Sequence, residues 1–192
     1  GEQPPFGQTL PERVLVPYPI ESALSGIQRH EDHMWYRRTF DVPEQWGIGG
    51  RNRLKLHFGA VDYAATVYVN GREVASHEGG YGAFSADVTD ALNGSGPQEL
   101  VVGVTDLTDA TWQPVGKQRR VPDRGIFSES ASGIWQTVWM EPVPAGHIDT
   151  LDMVPDLDSS TLLLTVNTGG DTDGLTVEAV VRDGRRVVSR TQ

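Results

Sequence analysis

Apolar and polar residues alternate in one short stretch after another, and a period of two predicts β-strands. In Leu54-Lys55-Leu56-His57-Phe58 the three apolar side chains share one face, with Lys55 and His57 on the other. Ala65, Val67 and Val69 alternate against Thr66 and Tyr68, and Leu100, Val102 and Val104 form a third apolar row. Ile134 to Met140 reads as one further strand, with Trp135, Thr137 and Trp139 on one face and Ile134, Gln136, Val138 and Met140 on the other. Asn70-Gly71 is a strong hairpin signal, because a type I′ turn needs positive φ at both central residues. It should join a strand ending at Val69 to one beginning at Arg72. Only two short pieces, around Glu21–Leu24 and Val88–Leu92, read as helical. Short strands punctuated by turns predict an antiparallel β-sandwich.

Glu141 to His147 carries two prolines, which disfavour a continuing ladder and predict a linker. Three more strand-like runs follow: Thr161–Thr168, Leu175–Val181 and, across the Asp183-Gly184 turn, Arg185–Ser189. About 45 residues are too few for a sandwich of the usual ~100. The second unit therefore reads as the start of a β domain rather than a whole one. Between the strands, His77–Phe84 reads as a tight glycine-rich connection in which Tyr81 and Phe84 plug the core.

At 192 residues the chain can bury a substantial core. No apolar run approaches the ~18 residues that span a bilayer, and the N-terminus shows no apolar segment of the secretory kind. The absence of cysteine excludes disulfide scaffolds, thiol catalysis and cysteine-based zinc sites. It leaves the compartment open, with the cytoplasm favoured over secretion. A net charge of −10 argues against nucleic acid or an anionic membrane as partner.

The candidate chemistry concentrates in Thr105–Gly133. Structureless segments beyond ~12–15 residues are uncommon in compact domains and tend to be functional, disordered or misassigned. Lys117, Arg119, Arg120 and Arg124 stand there beside Asp123, a basic patch in an acidic chain. With Trp112 and Phe127 they supply the aromatic faces and forked donors that suit sugar hydroxyls and carboxylates. Docking against another domain explains the same segment, and both readings can hold. His30-Glu31-Asp32-His33 has its histidines three apart, whereas the helical metalloprotease motif needs four, so a structural role is expected. Gly47–Gly50 lies outside any βαβ context and is no dinucleotide loop. Ser22, Ser128, Ser130 and Ser132 lack the Gly-x-Ser-x-Gly elbow of a serine nucleophile. Tyr63, Tyr68, Tyr81 and Phe84 could stack on a sugar but fit core positions better. No spacing pairs two carboxylates for acid–base work, and no cofactor or metal is implied.

Met34–Pro43 (MWYRRTFDVP), Leu56–Thr89 (LHFGAVDYAATVYVNGREVASHEGGYGAFSADVT) and Ser132–Val143 (SGIWQTVWMEPV) resemble the N-terminal sugar-binding domain of glycoside hydrolase family 2. Val16–Gly26 and Gly116–Gln118 add to the likeness, which runs in order from about Val14 to Val143. That family includes β-galactosidases, β-glucuronidases and β-mannosidases. The resemblance implies an all-β chain: a galactose-binding-like jelly-roll sandwich over residues 1–143, then the first strands of an immunoglobulin-like sandwich over 144–192. It implies that both catalytic glutamates lie in a barrel absent from this chain, so none of its own residues is catalytic. Expected partners are a carbohydrate substrate, that barrel and, in the full-length protein, further copies of itself. The long segment would then line the active-site rim through Trp112, Lys117, Gln118, Arg119, Arg120, Asp123, Arg124 and Glu129. A free-standing carbohydrate-binding or adhesive sandwich is the alternative, distinguished by whether the reading frame continues into alternating strands and helices.

Overall fold

A computed structural model describes residues 3–121 and 125–192. The chain divides into two units, Gly1–Pro142 and Val143–Gln192. In the first, β1 (His33–Phe40), β4 (Ala64–Val69), β5 (Arg72–Glu78) and β7 (Gln98–Thr105) form one antiparallel sheet in the order β1-β7-β4-β5. A facing sheet has β2 (Asn52–Phe58) between β11 (Val138–Pro144) and β6 (Phe84–Asp87). Two short strands, β3 (Val61–Asp62) and β10 (Gly133–Ile134), pair at the end of the sandwich. The inward rows are those of the alternating sequence: Leu54, Leu56 and Phe58 from β2, Ala65, Val67 and Val69 from β4, and Val102 and Val104 from β7. Each such burial stabilises by roughly 1.5–3 kcal/mol for a large side chain, before entropy is counted.

The hairpin turn forms at Asn70-Gly71, with φ of 51° and 80°. Asn70 does more than turn the chain. Its Oδ1 accepts from Glu99 N at 2.9 Å, and its Nδ2 donates to Gln98 Oε1 at 2.6 Å and Ala91 O at 2.8 Å. The two helical pieces are single 3₁₀ turns, Ala23–Ser25 and Thr89–Ala91.

Three expectations need correction. Ile134–Met140 is not one strand: β10 stops at Ile134 and β11 starts at Val138. The chain bends there, with Gln136 N reaching Ala60 O at 3.4 Å and Thr137 O accepting from Gly59 N at 2.9 Å. Trp135 meanwhile donates Nε1–H to Gly80 O at 2.8 Å. The proline-bearing seam is not a linker either, since β11 runs to Pro144 and β12 starts at Gly146. The prolines are tolerated because β11 is an edge strand, where a missing N–H need break no ladder bond. Finally, Tyr81 does not plug the core. It is 59% exposed, with its ring edge on Trp135, whereas Phe84 stacks on Phe58 as expected.

The second unit holds two antiparallel hairpins, β12 (Gly146–Asp156) with β13 (Thr161–Gly170), and β14 (Ala179–Asp183) with β15 (Arg186–Thr191). Across the first, Leu151 faces Val166, Met153 faces Leu164 and Pro155 faces Leu162, giving one strongly apolar face.

Candidate functional site

The segment leaving β7 is anchored at once. Asp106, 1% exposed, accepts four side-chain or backbone donors. Thr108 N lies at 2.7 Å and Thr108 Oγ1 at 3.1 Å from its Oδ1, Gln113 Nε2 at 2.8 Å from the same atom, and Ser132 Oγ at 2.6 Å from Oδ2. The first three fold the outgoing chain into a 3₁₀ turn over Thr108–Ala110, and the fourth ties it to the returning end.

The returning end is held by Glu21, which hangs from the turn at residues 20–25. Its Oε1 accepts from Ser130 Oγ at 2.7 Å and its Oε2 from Ser132 N at 3.0 Å. His30 sits across this group, with Nδ1 at 3.0 Å from Ser130 Oγ and Nε2 at 2.8 Å from Asp32 Oδ1. That bond from His30 holds the Asp32 carboxyl below its ordinary value. The His30–His33 motif is thus split: His30 joins the network, while His33 Nδ1 meets Thr105 Oγ1 at 3.0 Å. Among the described residues no group of three or more His, Asp or Glu side chains is placed to hold a metal ion.

The middle of the segment turns on Gln118. Two-residue strands β8 (Gln118–Arg119) and β9 (Ser128–Glu129) pair in parallel. Gln118 Oε1 accepts from Ala131 N at 2.6 Å, and its Nε2 donates to Asp62 Oδ2 at 3.1 Å and to the Tyr81 hydroxyl at 3.3 Å. Asp62 is 2% exposed on β3 and packs directly under Gly80, where even a Cβ would approach its Oδ1 to 2.4 Å. Burial pushes its pKa up to about 6; Asp106 and Glu21 add repulsion, and the bond from Gln118 offsets part of the rise.

The basic patch is largely neutralised by acids from nearby turns. Arg119 Nε lies 3.7 Å from Asp109 Oδ2, with its guanidinium 4.1 Å over the Phe127 ring. Arg120 contacts Asp109 at 3.3 Å and Asp32 at 3.6 Å. Counting charges only between residues 117 and 124 overlooked both partners. Trp112 is wholly exposed, at 103%, and Lys117 and Glu129 are also exposed. Asp123 and Arg124 lie outside the described residues. Sequence reasoning missed Glu21, Asp62 and Asp106; the visible signal was a carboxylate inside an apolar run, as at Ala60-Val61-Asp62.

The comparisons with known proteins now bear on this geometry. A family model described as "Glycosyl hydrolases family 2, sugar binding domain" matches residues 6–144. A β-glucuronidase of Paenibacillus borealis is 30% identical over 119 residues, covering 62% of this chain and 20% of that protein. A β-galactosidase of Thermoanaerobacter pseudethanolicus is 26% identical over 167 residues, covering 85% of this chain and 21% of its own length. Among solved structures, a β-glucuronidase from an uncultured Clostridium superposes with a TM-score of 0.68 at 26% identity, over 92% of this chain and 31% of that one. The Ruminococcus gnavus β-glucuronidase in complex with D-glucaro 1,5-lactone shares the fold at 21% identity, with a TM-score of 0.71 over 97% of this chain and 33% of its own. The chain therefore spans between 20% and 33% of the length of these four proteins.

Proposed function

From the premise that the chain belongs to the glycosyl hydrolase family 2 sugar-binding domain family, we propose that it is the non-catalytic N-terminal part of a retaining glycosidase acting on a β-glycoside. In that reading a catalytic barrel in the same polypeptide supplies the two carboxyl groups, set ~5–5.5 Å apart, that break the O-glycosyl bond. Residues 144–192 open an immunoglobulin-like sandwich between the two. The names of the relatives, β-glucuronidases and β-galactosidases, support a pyranoside substrate.

The observation that carries a role at the active-site rim is the seating of residues 105–133. The buried Asp106 and the half-buried Glu21 grip the two feet of the segment, and Gln118 ties its middle to Asp62, while Trp112 and Lys117 face outward with no side-chain partner among the described residues. A rim element needs this division, a rigid base under side chains free to meet substrate. Gln118 then acts as a seat rather than a sugar contact, Arg119 and Arg120 brace it, and Trp112 offers the stacking face.

The test is hydrolysis of a panel of 4-nitrophenyl β-glycosides by the 192 residues alone and by the uninterrupted reading frame that contains them. The reading expects turnover only from the longer polypeptide, and expects Trp112→Ala there to lower kcat/KM at an unchanged melting temperature. Turnover by the 192 residues alone, or none by the longer polypeptide, overturns the glycosidase reading. Unaltered kinetics for Trp112→Ala overturn the rim role.

A further inference from the structure

The two sheets of the first unit do not meet along one side. Between the edge strands β1 and β11 lies an open cleft of about 870 Å³ whose floor is the core itself: Leu56, Phe58, Val102 and Ile134. Tyr36, on the same wall, has its hydroxyl pushed up to about 12 by burial, as expected of a poorly hydrated space. None of the cleft's lining comes from the 105–133 segment, although Ile134 on its floor follows that segment directly.

The sequence of β1 makes the cleft unusual. Met34, Tyr36 and Phe40 pack against the core, so alternation puts Arg38 on that same inward row. An arginine at an inward position on an edge strand has one ordinary explanation, protection of the edge against pairing with another sheet. That explanation asks only for a charge. It does not account for a second arginine, Arg13, brought to the same cleft by the N-terminal segment. Nor does it account for the state of the two guanidiniums. The neighbouring cleft residue Arg37 is paired with Glu99 at 2.5 Å, and Glu12 at the mouth is taken by Arg29. Arg13 and Arg38 have no acidic partner among the described residues, in a chain whose acids outnumber its Lys and Arg by 26 to 16.

We propose that this cleft is a binding site for an amphipathic carboxylate, its apolar body over the Leu56–Phe58–Val102 floor and its anionic head between Arg13 and Arg38. The physical basis is complementarity on both counts. An apolar, largely preformed cavity with a few fixed polar groups is what a small ligand requires. A guanidinium beside an apolar wall binds carboxylate through charge-assisted, forked hydrogen bonds that strengthen as water is excluded. The trimethylammonium analogue of the same chain length offers the identical apolar body with the wrong charge, so it separates this site from generic grease binding.

The experiment uses the whole 192-residue chain and sodium dodecanoate below its micellar concentration, with dodecyltrimethylammonium as the opposite-charge control. Calorimetry gives the affinity, and ¹⁵N amide shifts give the place. Dodecanoate should bind one per chain and perturb amides of Arg38, Phe40, Val102 and Met140, while the cation leaves them unmoved. Arg38→Gln should weaken dodecanoate by about tenfold or more, the loss that goes with one hydrogen bond to a charged group. Arg38→Lys keeps the charge but not the fork, so it should recover only part of that loss, and both variants should keep the fold, since Arg38 is exposed. Equal binding of the two detergents, shifts confined to other residues, or an affinity indifferent to Arg38→Gln would each overturn the proposal. So would concentration-dependent self-association that the ligand does not reverse, which would make a second copy the occupant.

Discussion

Asp62 offers the sharpest test of how the segment at 105–133 is seated. Its carboxyl is 2% exposed and its pKa is pushed up to about 6 from an ordinary 3.8, chiefly by burial. The folded state therefore holds that proton more tightly than the unfolded chain does. Stability from this group is complete below pH 3.8 and is lost as pH rises through about 6. At 1.36 kcal/mol per pH unit the full swing is about 3 kcal/mol, and between pH 4.5 and 8 it is about 2 kcal/mol. Asp62→Asn removes the titration while keeping an acceptor for Gln118. The measurement is urea unfolding of both proteins at pH 4.5 and pH 8, followed by tryptophan fluorescence. All five tryptophans, at positions 35, 46, 112, 135 and 139, lie in the first unit, so the signal reports that unit alone. Wild type should lose about 2 kcal/mol relative to the variant on going from pH 4.5 to 8. A stability gap that does not change with pH, or one that shifts in favour of wild type at pH 8, refutes the burial argument.

Other substitutions probe separate parts of the frame. Phe58→Ala, at a fully buried position stacked on Phe84, should destabilise the first unit by about 3–5 kcal/mol in the same unfolding assay. Gly133→Ala should also be severe, because φ there is +83° and the new Cβ would stand 2.0 Å from the Tyr36 hydroxyl. The expected outcome is a large drop in melting temperature that Tyr36→Phe, by deleting that hydroxyl, partly restores. Ser132→Ala should leave Asp106 short of one donor and cost about 1–3 kcal/mol, read as lost amide protection in residues 128–132 on hydrogen exchange. Trp112→Ala should change stability by less than about 0.5 kcal/mol, since the side chain is wholly exposed.

The sandwich could be read from the sequence because its strands are half-buried, and half-burial writes itself as alternation. Leu54, Leu56 and Phe58 are the plainest case. The bend after Ile134 could not be read that way. Trp135, Thr137 and Trp139 keep a period of two through a corner, and the corner is set by distant partners, Gly80 and Ala60. Tyr81 misled for a related reason: an aromatic after glycines fits a core plug equally well, and only the neighbouring Trp135 and Gln118 decide otherwise. The long segment was visible as an anomaly of length, and its candidate residues were visible as types. Their pairing and exposure were not. The pairing depends on carboxylates as far away as Glu21, 109 positions from Ser130, and such pairings leave no local pattern.

Pinning a span at its feet, and here also at Gln118, leaves only the stretches between those points free. Once Asp106 and Glu21 have fixed the take-off and landing points, the entropy of closing the intervening stretch grows only with the logarithm of its length. Insertions, deletions and side-chain swaps around Trp112 can then accumulate while the β framework stays intact. The domain is built as a mount with an exchangeable fitting.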